Sequence, residues 1–111
     1  MTTLLPRDGD NNAIMALGFK DGGAHNVNVT ATSARNTTSF DNDTRVIGVY
    51  ATGDVFIAFG DTGVVASGAD HFIPADTYID IAIGGGKSQQ YTHIAAVRST
   101  NDCTLYISEK E

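Results

Sequence analysis

Residues Thr44 to Gly60 read TRVIGVYATGDVFIAFG, two β-branched and aromatic runs on either side of Thr52-Gly53. Such runs separated by a two-residue break containing glycine are expected to form a hairpin, with arms Thr44–Ala51 and Asp54–Gly60. In the second arm Val55, Ile57 and Phe59 share one face while Phe56 and Ala58 share the other. A strand apolar on both faces is expected to lie centrally in its sheet with cover on each side.

The same period-2 alternation continues toward the C-terminus. Ala69–Ile73 leads into Pro74-Ala75-Asp76, and Thr77–Ile83 (TYIDIAI) sets Ile79, Ile81 and Ile83 inward against Tyr78, Asp80 and Ala82 outward. Gly84–Gln90 is a turn, and Tyr91–Arg98 and Cys103–Glu109 are the last two expected strands. Toward the N-terminus, Ile14–Phe19 and His25–Thr30 read as two strands separated by Asp21-Gly22-Gly23. Residues 31–43 (ATSARNTTSFDND) read as a long polar connection anchored by Phe40. Residues 1–12 are polar apart from Leu4-Leu5, with Pro6 favouring an extended backbone at Leu5, and read as an arm. The arm reads either as a frayed terminus or as an extended strap; in the second reading Leu4, Leu5 and Pro6 are the candidate docking element, onto a neighbouring subunit or onto a shell.

Composition agrees with an all-β chain. Ile and Val together number 17 and Thr 13, against 4 Leu and 2 Glu, the reverse of helical usage, while 12 Gly, 7 Asn and 11 Asp supply turns. The 111 residues fit one core. The expected fold is therefore a single-domain antiparallel β-sandwich of about eight short strands, jelly-roll-like, with residues 1–12 as the arm and 13–111 as the sandwich.

Charge and motifs narrow the function. Net charge is −6 with no Lys/Arg cluster, so no nucleic-acid partner is expected. No apolar run approaches the ~18 residues of a membrane span, and no secretory signal is recognisable at the start, so no membrane partner is expected either. Cys103 is the single cysteine, which leaves packing or association to stabilise the fold.

Asp61-Thr62-Gly63 behind an apolar strand has the form of an aspartic-protease half-site, but Ile83-Gly84 follows too soon for the segment that packs beneath such a triplet, and a β-turn is expected. Gly84-Gly85-Gly86-Lys87-Ser88 lacks the earlier glycine of a phosphate-binding loop, whose place is Ile81, and no helix follows. Asp8, Asp10 and Asn12 have calcium-loop spacing, but Ala13 and Phe19 stand where glycine and a bidentate Glu are needed. His25, His71 and His93 lack metal-ligand spacing, and a local Asp70-His71 pair is the expected arrangement. No His neighbours Cys103 in sequence, and the Asn-X-Thr sequons at Asn28, Asn36 and Asn42 carry no weight without export. No catalytic residue, cofactor or metal site is expected, and the chain is not read as an enzyme.

Three stretches, TRVIGVYATGDVFIAFGD, DHFIPADTYIDIAIGGGK and THIAAVRSTNDCTLYISE, together with the PRDGDNNAI start, resemble small β-rich proteins of tailed-phage structural gene clusters, head decoration or cement proteins above all. The resemblance implies a virion structural protein made in the bacterial host cytoplasm and bound to the capsid exterior. Its partner would be the major capsid protein, and its assembly state a homo-oligomer, often a trimer. It carries over no functional residues. The rival reading is a spike, fibre or tail component whose sandwich binds a glycan or receptor, with Tyr50, Tyr78, Tyr91 and Tyr106 as candidates for an aromatic patch.

Overall fold

The computed structural model describes residues 9–12, 16–85 and 90–111. Leu4, Leu5, Pro6 and most of the expected arm lie outside the described residues. Eight strands follow in order: β1 (Phe19–Val29), β2 (Ala34–Arg35), β3 (Val46–Ala51), β4 (Val55–Gly60), β5 (His71–Ile73), β6 (Tyr78–Ala82), β7 (His93–Arg98) and β8 (Cys103–Lys110). They form two antiparallel four-stranded sheets, ordered β1-β8-β3-β6 and β2-β7-β4-β5.

That order has a simple origin. β1 pairs β8, β2 pairs β7, β3 pairs β6 and β4 pairs β5, as in one long antiparallel ribbon folded at the β4–β5 tip. Winding the ribbon places alternate pairs in opposite sheets, and the β3·β8 and β4·β7 ladders then complete each sheet. This is the jelly roll of two Greek keys. Every connection except β4–β5 passes from one sheet to the other.

The expected hairpin between Thr44–Ala51 and Asp54–Gly60 is therefore not formed, because β3 and β4 belong to different sheets. A two-residue hairpin turn needs positive φ within the turn, and neither Thr52 nor Gly53 has one. The corner is instead tied to other strands. Thr52 N donates to Thr104 O (3.0 Å), and Ser99 N donates to Asp54 O (3.0 Å).

Upstream, the expected His25–Thr30 strand belongs to a longer β1, whereas of the expected Ile14–Phe19 strand only Phe19 is in it: residues 16–18 are not strand, and Ile14 and Met15 lie outside the described residues. β1 runs through Asp21–Gly23, where a step of five residues along β1 matches a step of two along β8. Gly22, at φ 73°, supplies the left-handed backbone that this irregularity requires. The expected 31–43 connection contains the two-residue β2. Phe40 does anchor it: the side chain is buried, its ring meets His25 edge-on at 5.1 Å, and its N donates to Thr92 O (2.9 Å).

Between the sheets lie Val27, Val29, Ile47, Val49, Leu105 and Ile107 from one side and Val55, Ile57, Ile73, Ile94 and Ala96 from the other, with Ile83 and Phe40 at the ends. Each large apolar side chain buried there contributes about 1.5–3 kcal/mol. One carboxylate sits at the edge of this core. Buried Glu109 accepts Asp41 N (2.8 Å) and Thr44 Oγ1 (2.6 Å) on Oε1, and His25 Nε2 lies 2.8 Å from Oε2. A buried carboxylate is tolerable only when hydrogen-bonded in this way, and the cluster fastens the Phe40 connection to β8.

Candidate functional site

Strand alternation that points Ile47, Val49, Leu105 and Ile107 inward points their neighbours outward. Because β3 lies between β8 and β6, the register aligns Asn26, Tyr106, Tyr50 and Tyr78 in one row across β1-β8-β3-β6. The next row is Ala24, Ser108, Gly48 and Asp80, and beyond the β1 irregularity Phe19 stands opposite Lys110. Tyr78 is 49% exposed, Tyr106 50% and Phe19 70%. Three tyrosines on adjacent strands, flanked by a phenylalanine, thus occupy the outer face of one sheet.

Their placement is built. Tyr78 leans across the neighbouring strand, so that a Cβ at position 48 would collide with its hydroxyl and stand 3.1 Å from Lys110 Cε. Gly48 is the gap into which this side chain fits. Lys110 Nζ lies 4.8 Å from the Tyr78 ring centre and 5.4 Å from that of Phe19, and donates to Asp80 Oδ1 at 2.7 Å. Burial disfavours the Lys110 ammonium, but hydrogen bonds with Asp80 and Tyr78 outweigh it and raise its pKa. The cation therefore holds the two rings in place. Tyr50 donates to Asp76 Oδ1 at 2.7 Å; this bond to a carboxylate raises the phenol's pKa, and the hydroxyl stays protonated.

Of the four tyrosines expected as an aromatic patch, Tyr50, Tyr78 and Tyr106 come together. Tyr91 does not, being half-buried with its ring stacked on Phe59 at 5.7 Å. Phe19, Gly48 and Lys110 were not legible as members of the face, since only the β1·β8 and β3·β8 registers unite them.

The opposite sheet differs. The connection after β4 turns back over it, with Val64 3.0 Å from where a Gly60 Cβ would lie and its carbonyl reached by Arg35 at 3.4 Å. Ala95, on that outer side, is fully buried. β4 is interior as expected, but its outer residues Phe56 and Ala58 are half-buried rather than covered.

The remaining candidates disperse. Asp61 Oδ1 accepts Gly63 N (3.0 Å) and Asp61 O accepts Val64 N (3.1 Å), the hydrogen bonds of a turn. Residues 86–89 of the glycine-rich segment, and Asp8, are outside the described residues. The expected Asp70-His71 pair is not formed: Asp70 accepts Ser67 N (2.7 Å) to close its own turn, while His71 is exposed. Burial pushes the Cys103 thiol upward, away from a reactive thiolate. Among the described residues no group of three His, Cys, Asp or Glu side chains is placed to hold a metal ion, and no helix is long and apolar enough to cross a membrane.

A cavity of about 440 Å³ lies elsewhere, lined by Arg35, Asn36, Thr37, Thr62 and His93, with no tyrosine. Comparison with protein-family models, with curated proteins and with solved structures finds no match, so function has to be read from these surfaces.

Proposed function

We propose that the chain is a tailed-phage virion structural protein, a decoration or cement subunit that seats the tyrosine face of the β1-β8-β3-β6 sheet on the outer surface of the head. The observation that carries this is the aligned row of Tyr106, Tyr50 and Tyr78 beside exposed Phe19. Tyrosine and phenylalanine are enriched in protein interfaces, and tyrosines supply a large share of interface hot spots. A contiguous exposed aromatic patch on a small domain marks an interaction surface. The jelly-roll order agrees, being common in viral capsid domains.

Net charge and edges support the location and assembly. At −6 the subunit would be repelled by packaged DNA, which favours the exterior. Among the described residues β1 and β6 are the edge strands of their sheet, and a symmetric oligomer, a homotrimer in this reading, would cover such edges. Leu4, Leu5 and Pro6 would add a strap to the neighbour or to the major capsid protein. A subunit that binds only the assembled shell stabilises it by mass action.

The test is light scattering of the purified chain followed by co-sedimentation with undecorated heads of its own phage. An oligomer that pellets with heads in a saturable manner is the expected result. A chain that stays in the supernatant at all head concentrations would refute the role.

A further inference from the structure

The cavity on the other side of the molecule presents a separate chemistry. Three distant segments build it: Arg35 ends β2 and leads into Asn36 and Thr37, Thr62 follows β4, and His93 opens β7. Asn36 fixes the wall. Its buried amide donates to Thr38 O (2.7 Å) and accepts Ile94 N (2.9 Å), which locks the segment after β2 against β7.

The other lining groups are uncommitted. His93 is only 4% exposed, and its Nδ1 lies 2.8 Å from Thr92 Oγ1. Among the described residues its Nε2 has no partner, nor do the hydroxyls of Thr37 and Thr62. Arg35 makes one long contact, 3.4 Å to Val64 O, so most of its five donors are free. A nearly buried imidazole with a free nitrogen, two free hydroxyls and a guanidinium thus converge on one space; among the described residues no carboxylate lines it, the nearest acidic group acting on His93 being Asp61, which is tied into its own turn by Gly63 N.

We infer that this cavity is a binding site for a small acidic sugar, whose carboxylate pairs with Arg35 and whose hydroxyls meet Thr37, Thr62 and His93 Nε2. The guanidinium fork matches a carboxylate in two parallel hydrogen bonds. The volume falls in the ~300–1,000 Å³ range of small-molecule sites, larger than a bare oxyanion needs. Among the described residues the lining is Arg35, Asn36, Thr37, Thr62 and His93, whose hydroxyls and charged or ring donors alternate with methyl and ring carbon, a mixed surface that suits the polar edges and C–H faces of a sugar. When the Thr92 hydroxyl donates to Nδ1, the proton of the neutral imidazole resides on Nε2, facing the ligand as a donor. Burial, reinforced by the nearby Arg35 charge, lowers the His93 pKa and keeps that ring neutral; Asp61, the acidic group acting on it, opposes this only in part.

The site is independent of the shell-docking face, and its test needs no phage particle. The ¹⁵N-labelled full chain would be titrated with sodium glucuronate, glucose and inorganic phosphate while amide shifts are followed by NMR. Glucuronate is expected to move the amides of Asn36, Thr37, Thr62 and His93 with a millimolar dissociation constant, and glucose and phosphate to bind more weakly. Arg35→Gln, a change at an exposed side chain whose folding the same spectrum verifies, should weaken glucuronate by roughly tenfold or more, the worth of a charged hydrogen bond. Arg98→Gln, which removes only the exposed pair with Asp102, should leave it unchanged. Equal binding of glucose, phosphate as tight as glucuronate, an unaffected Arg35→Gln, or no shifts at those amides would each overturn the proposal.

Discussion

The two sheets share an interior but finish their outer faces in opposite ways. On β2-β7-β4-β5 the connection after β4 folds back, Val64 sits over Gly60, and Ala95 is sealed from solvent. On β1-β8-β3-β6, Gly48 and Lys110 are buried beneath Tyr78, while Tyr106, Tyr78 and Phe19 stand about half or more exposed. A small domain gains by covering apolar surface, so an aromatic face left open among the described residues, beside one closed by the connection after β4, is the surface to test as an interface.

Substitutions can break or sharpen this contrast. The largest effect should come from Glu109→Ala, which leaves the Thr44 hydroxyl, the Asp41 N–H and His25 without their acceptor behind the tyrosine face. A loss of about 3 kcal/mol or more is expected in urea unfolding. If the change costs less than about 1 kcal/mol, the cluster does not fasten β8 as described.

Next come matched insertions on the two faces. Ala95→Leu should lift the 61–68 cover and cost about 1–3 kcal/mol, with faster proteolysis in that connection. Gly48→Val should displace Tyr78 into solvent at a similar or lower cost, because an exposed ring can swing away where a buried backbone cannot. Thermal melts of the two variants rank them, and a larger loss for Gly48→Val would mean that the open face is itself packed.

The smallest effect is in pH. The pKa of His93 is lowered from 6.5 in the folded chain, chiefly by burial. A folded-state pKa below the unfolded one means that the unfolded chain binds the proton more readily, so stability is full above pH 6.5 and declines as pH falls through the lowered value. Urea midpoints between pH 7.5 and pH 5 should fall for the native chain, and by less for His93→Gln.

Much of the fold could be read from alternation. Tyr78, Ile79, Asp80 and Ile81 face as TYIDIAI implies, and the last two strands start within two residues of where β-branched runs begin. What failed were connections. The Thr52-Gly53 break looks the same in a hairpin and in a corner between sheets, since the choice depends on φ and on Thr104 and Asp54 contacts made far along the chain. β2 is two residues long and has no pattern to detect. The site was legible only in part: outward tyrosines were visible strand by strand, but their alignment needs the 1-8-3-6 order. The cavity residues come from three segments that no local motif joins.

The most direct measurement is quantitative co-sedimentation of the native chain and of Tyr106→Ala with undecorated heads, with unfolding curves recorded in parallel. Tyr106 is half exposed, so its removal should change stability by no more than about 0.5 kcal/mol. At the centre of an interface the same truncation should weaken shell binding by roughly thirtyfold, the ~2 kcal/mol of a hot spot. Native stability with lost occupancy is the predicted result. Full occupancy by Tyr106→Ala would contradict the assignment of this face to the shell.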